Sequence, residues 1–237
     1  MGSIGELLRF GAEGWGDEML RGTAMTLAIA LGAFSLGTVF GAAGAAAKLN
    51  GGRLAAGLAD LYTTVARGVP ELLVIYLLFF GGSHAITALA GIFGYNESLD
   101  LDAFTIGVVS VGLVSGAYST EVLRGAVQAV PRGQMEAARA LGMPPGLRVR
   151  RILIPQTLRY ALPGLGNVWQ ATLKDTALVS VTALAEIMRQ ASVAAGSTRS
   201  PFLFYGLAAV LYLLLSSLST TAFAWGERHL ARGQSRS

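Results

Sequence analysis

Four charged side chains, Arg67, Glu71, Lys174 and Asp175, stand with Asp60, which is placed nearer the cytoplasmic interface, inside stretches that are otherwise apolar enough to cross a bilayer. A charge placed there is costly and marks a functional site by default. Arg67 and Glu71 are four residues apart, so on one continuous helix they share a face and can pair. Between them, Pro70 removes a backbone hydrogen bond and Gly68 loosens the same turn. Lys174 and Asp175 are adjacent, so on a helix they point about 100° apart and do not face each other. One of them must reach a cavity, an interface or another span. Glu121 and Arg124 lie about one turn apart and read as a local pair or the support of a gate. A zwitterionic ligand asks for mixed charges of this kind: a cation for its carboxylate, an anion for its amine, and a further acid if its side chain is basic. Asp175 and Glu71 are the candidates for the cationic groups and Arg67 for the carboxylate. The competing use of all four is interhelical ion pairing that fixes packing.

Other chemistries lack their residues. The chain has no cysteine, which removes disulfides, thiol nucleophiles and thiolate metal sites together. His84 and His229 are the two histidines and lie far apart, one read as outer loop and one as tail. No H-E-x-x-H or G-x-S-x-G occurs, which argues against a membrane enzyme. Ser119 and Ser180 have no nearby base in sequence to make either a nucleophile. There is also no G-x-x-x-x-G-K-[ST], so this chain has no loop to cradle ATP phosphates.

The elements that must position these charges follow from hydropathy. The chain has 237 residues, 53% hydrophobic and 14% charged, with a mean hydropathy of +0.55. Soluble domains carry about 25% charged residues, so the composition indicates an all-α integral membrane protein. Gly22 to Ala47 runs 26 residues without a charge, enough to cross a core of about 30 Å. Further spans are expected from about Ala55 to Phe80, from Ala103 to Thr120 with helix continuing toward Ala129, from about Tyr160 to Leu184, and from Ser200 to Gly226. That makes about five transmembrane helices. Residues 1–21 form an extracytoplasmic segment, 22–226 the membrane domain and 227–237 a tail. Residues 1–20 carry four acids and one arginine, the reverse of a signal peptide's basic start. With the N-terminus outside and the C-terminus in the cytoplasm, 12 basic residues fall inside and four outside. The surplus of +4 is thus a topology signal and gives no reason to expect nucleic acid. Gly37–Gly41 and Gly112–Gly116 are small-xxx-small spacings, expected to serve packing within the chain. Trp15, Trp169 and Trp225 suit interfacial belts or helix packing.

The longest internal loop, about residues 130–158, holds the sequence "QMEAARALGMPP" (Gln134 to Pro145). Pro131 suits a helix start, Gly142 a left-handed end, and Pro144–Pro145 forbid continuation. A helix of roughly 10 residues is about 15 Å long, too short to span and marginal alone. Ala137 and Ala138 offer a close-packing face and Met135 and Leu141 apolar anchors, either for another protein's groove or for this chain's own membrane domain.

Glu136-Ala137-Ala138, then Gly142, then Ile152, Ile154 and Pro155 resemble the EAA motif, E-A-A-x3-G-x9-I-x-L-P. That motif belongs to the membrane-spanning subunits of bacterial binding-protein-dependent ABC importers. Ile154 stands where leucine is usual. "RGVPELLVIYLLFFG", "GAYSTEVLRGAVQAVPRGQMEAARALG" and "RYALPGLGNVWQATLKDTALVSVTALAEI" narrow the likeness to polar amino acid permeases, closest to the Q-type subunit for histidine, other basic amino acids or opines. The likeness extends over about Arg21 to Glu227.

The resemblance implies the type I ABC importer permease fold in a bacterial inner membrane. It makes the helix of Gln134, Met135, Glu136, Ala137, Ala138, Arg139, Leu141 and Gly142 a coupling helix that docks on an ATPase. The implied partners are two ATP-binding subunits that hold ATP and Mg, a second permease subunit (paralogue or identical copy), and an extracytoplasmic binding protein that delivers the amino acid. No cofactor is expected in this chain. A secondary transporter or channel free of any ATPase would explain the membrane charges, but leaves the EAA block without a task.

Overall fold

The structure, a computed structural model, describes residues 4–11, 14–92 and 102–231. Every regular element among the described residues is helical. A one-turn α1 (Ile4–Leu7) precedes α2 (Gly16–Asn50), α3 (Arg53–Gly68), α4 (Glu71–Ile92) and α5 (Ala103–Ala129). Then come the short α6 (Arg132–Ala140) and α7 (Pro145–Arg148), followed by α8 (Ile154–Asp175), α9 (Ile187–Thr198) and α10 (Pro201–Ala231).

α2, α5 and α10 are each long and apolar enough to cross a membrane. The expected second span is not a continuous helix, and the expected fourth runs as α8 and a 3₁₀ helix to Thr182, where a second bend begins. α3 and α4 meet at a bend of 105°, and the path from α7 through α8 to α9 bends by 50°, so the count reaches five only if each bent pair is one span. The first bend falls where Val69, in extended conformation, precedes Pro70, since proline drives the residue before it out of the helical region. α4 also runs past the expected end at Phe80 to Ile92, which puts His84 in a helix rather than a loop. The double glycine at 81–82 does not interrupt the helix. Residues 93–101 of the expected outer loop, and the tail residues 232–237, with Arg232 and Arg236, lie outside the described residues.

The second break is built from buried polar groups. α8 ends at Asp175 and continues as a 3₁₀ helix to Thr182, after which Ala183 adopts a left-handed φ of 62°. The side chain of Glu186, fully buried, then caps α9 by accepting from Met188 N (2.9 Å) and Arg189 N (2.6 Å). Tyr212 Oη of α10 donates to the same carboxylate at 3.1 Å. Ile187 N donates to Thr26 Oγ1 of α2 at 3.2 Å. A buried carboxylate persists only when so satisfied, and here it ties α2, α9 and α10 together.

The centre of the bundle is the α2–α5 pair. Gly37, Gly41 and Gly44 face Ser115, Ser119 and Thr120, and a Cβ added to Gly41 would stand 2.5 Å from that of Ser119. Small residues let backbones approach where lipid removes the hydrophobic drive between helices. The two small-xxx-small spacings therefore serve packing within the chain, as expected. α8 joins them through Trp169, which sits edge-on to Phe34 of α2 at 5.4 Å, an arrangement worth about 0.5–1.5 kcal/mol beyond its buried area.

Candidate transport path and coupling surface

The end of α6 is written into its backbone. Pro131 is the N-cap, and Gly142 takes a φ of +74°. Met143 N donates to Ala138 O (3.1 Å) and Gly142 N to Arg139 O (3.0 Å), the paired bonds of a Schellman motif that satisfy the last carbonyls. The helix lies on its own domain: Ala138 is 2% exposed, and Gln156 of α8 donates through Nε2 to Gln134 Oε1 at 2.5 Å. Ala138 is thus committed inward and cannot be part of a free docking face, unlike its neighbour Ala137. Glu136, Ala137 and Arg139 are exposed, Met135 is half-buried, and Leu141 is 81% exposed. Beside this helix opens a pocket of about 520 Å³, lined among others by Gln128, Met135, Glu136, Arg139 and Arg148. Arg148 Nε is buried there without a hydrogen-bond partner.

The four membrane charges are redistributed by the bend. Arg67 ends α3 and Glu71 begins α4, so they do not share one helix face, and no ion pair joins them. Arg67, exposed, lies over the ring of Tyr118 of α5 at 5.4 Å, a cation–π contact. Glu71 instead meets Asp175, the two half-buried carboxyl groups lying within hydrogen-bonding reach. Lys174 is exposed and makes no salt bridge with its neighbour Asp175, as the turn of about 100° between adjacent helical positions favours. Among the described residues no salt bridge reaches Glu71 or Asp175.

Glu121 does pair with Arg124, at 2.7 Å. Its second oxygen is taken by a residue that the sequence marks only as a loop-side cation. Lys48 Nζ of α2 contacts Glu121 Oε1 (2.6 Å), Asp60 Oδ1 of α3 (2.8 Å) and Thr63 Oγ1 (2.7 Å). These partners are 12 to 73 residues away in sequence, so no local signal reveals them. Lys48, Thr63, Thr64, Arg67, Tyr118 and Glu121 line an open polar pocket of about 460 Å³.

Among the described residues no group of three or more His, Asp or Glu stands where it would hold a metal ion. A helical bundle with broken spans, charges within them and a short exposed helix off one end is the architecture of a transport permease. Residues 33–231 match the family model described as "Binding-protein-dependent transport system inner membrane component", and the chain belongs to that family. It is 54% identical to the nopaline transport system permease protein NocQ of Agrobacterium fabrum, over 96% of this chain and 97% of that protein. It is 38% identical to the histidine/lysine/arginine/ornithine transport system permease protein HisQ of Escherichia coli, over 94% and 97%. Among solved structures, the crystal structure of an amino acid ABC transporter with histidines superposes with a TM-score of 0.76 at 32% identity, over 91% of this chain and 95% of that one. The MetNI methionine ABC transporter shares the fold, with a TM-score of 0.72 at 16% identity. The chain is accordingly a multi-pass membrane permease subunit of the polar amino acid ABC importer type, with the type I importer fold.

Proposed function

We propose that this chain forms part of the translocation path for a basic amino acid or an opine and is driven by a separate ATPase. The observation that carries the reading is the exposed face of α6, with Glu136, Ala137 and Leu141 turned away from the bundle. An apolar side chain exposed at 81% on a rigid, sharply terminated helix is suited to fill a pocket on another subunit. Two ATP-binding subunits that hold ATP and Mg provide those pockets. A second permease subunit, paralogue or identical copy, completes the path, and an extracytoplasmic binding protein delivers the ligand. The basic-residue asymmetry supports an orientation with the N-terminus outside and α6 in the cytoplasm. The paired carboxyls of Glu71 and Asp175, with no cation of their own in salt-bridge contact, suit a cationic amine or guanidinium, and Arg67 suits a carboxylate.

The test is reconstitution in vesicles with the ATPase, second permease and binding protein. Uptake of octopine, nopaline, arginine or histidine is expected only with ATP and both partners present. Uptake driven by an ion gradient alone would favour a secondary transporter. Glu136→Lys, and Gly142→Val at its positive φ, are expected to reduce co-purification of the ATPase while membrane insertion persists. Unchanged co-purification in both would remove the docking role.

A further inference from the structure

The cluster around Lys48 joins two parts of the molecule that the proposed function uses separately. Lys48 has an 8% exposed side chain and three ammonium donors, and each meets an acceptor: Asp60, Thr63 and Glu121. A buried ammonium needs that full set of partners. Its position closes the turn between α2 and α3 and fastens α3 to α5, so three helices converge on one nitrogen.

From Glu121 the contacts continue along α5. Arg124 donates to Glu121 Oε2 through both Nε (3.0 Å) and a terminal nitrogen (2.7 Å), and another terminal nitrogen donates to Gln128 Oε1 at 3.3 Å. Gln128 lines the pocket shared with Met135, Glu136 and Arg139 of α6. In the other direction Asp60 sits eight residues before the end of α3, about 12 Å along a helix. That end carries Arg67, the bend, and then Glu71 against Asp175. α3 is also lightly held: Leu54, Leu58, Leu61 and Val65 face outward, each more than half exposed. Its side-chain ties to the bundle are the Lys48 contacts, the Arg67–Tyr118 contact and the bond from Tyr62 Oη to Leu113 O.

We infer that Lys48 is a positioning residue for coupling: by holding α3 to α5, it makes α3 the arm through which a displacement of α6 reaches the Glu71–Asp175 site. This rests on the importer reading above. Without the tie, α6 still docks and the ATPase still turns over, but α3 no longer follows. A tie of this kind carries coupling free energy between two sites, typically a 5- to 150-fold effect.

The experiment uses the full transporter in vesicles and measures ATP hydrolysed and amino acid taken up in the same preparation. Wild type must show ATP-dependent uptake; its failure would overturn the importer reading and not this one. Lys48→Met is expected to raise the ATP consumed per molecule transported by about tenfold, with Lys48→Arg restoring most of the ratio. Asp60→Asn weakens the α3 tie by removing its charge, at a site 68% exposed and tolerant of change, while the Thr63 contact stays, and is expected to shift the ratio in the same direction by a smaller factor. If Lys48→Met fails to assemble, Asp60→Asn decides alone. An unchanged ratio, or uptake and hydrolysis falling in parallel, would reduce Lys48 to a structural ion and overturn the inference.

Discussion

Two charged clusters lie along α3, one against its middle and one just past its C-terminal end, and they are built on opposite principles. Around Lys48, cations and anions alternate, every ammonium donor is used, and both carboxylate oxygens of Glu121 are taken. At the bend, Glu71 meets Asp175, two acids with no cation in salt-bridge contact. Closed ion networks satisfy themselves and hold helices in register. A pair of carboxyl groups in a membrane-buried setting must either share a proton or be met by a counter-charge. The first arrangement suits architecture and transmission, the second suits a visiting cation. The two are joined by one lightly packed helix, which is why a change in either should be felt at the other.

The comparison can be broken most severely at the bend. Asp175→Lys puts a permanent cation against Glu71 and is expected to cut uptake of a cationic substrate roughly a hundredfold, while the complex still assembles, as buried charge pairs at binding sites do when one partner is changed. The readout is transport against the amount of ATPase co-purified. Asp175→Asn is milder: a loss of about tenfold for arginine-like substrates and about threefold or less for neutral ones is expected from a specificity contact. Equal losses for both classes would make Asp175 a packing charge. In the closed cluster, Glu121→Gln removes the charge shared by Lys48 and Arg124 and turns one of its two acceptor oxygens into a donor, and a loss of about 1.5–3 kcal/mol in stability is expected for bonds to charged groups, measurable as a lower melting temperature in detergent. Asp60→Asn should be smallest in stability, within about 0–1 kcal/mol, because its carboxylate is solvent-exposed. A larger drop there would show that α3 is held far more rigidly than its exposed face suggests.

Legibility in the sequence followed range. α6 could be read because its limits are made by neighbours: Pro131 before it, Gly142 in the left-handed region after it, and Pro144 beyond. The spans at α2, α5 and α10 could be read because an uncharged run of sufficient length has few other uses. The Arg67–Glu71 pairing was misread because helical spacing presumes a continuous helix, and the 105° bend separates the two side chains. Pro70 signalled a break but not its angle. Ala138 was misread for a related reason: a helix pattern shows which residues share a face, not which face meets the bundle. Glu186 gave no signal beyond being an acid in a mostly apolar stretch, because Tyr212 and Thr26, which satisfy it and its neighbour, come from distant helices.

By itself, then, the sequence determined that this is a helical membrane permease with a short charged helix off the bundle, since composition, run length and the EAA spacing are properties of neighbours along the chain. Tertiary structure alone decided which charges meet. Lys48 with Asp60 and Glu121, and Glu71 with Asp175, are separated by tens of residues or more than a hundred except for the one turn between α2 and α3. Contacts of that kind depend on helix packing and on the angle of a bend, and neither is encoded by spacing along a single helix.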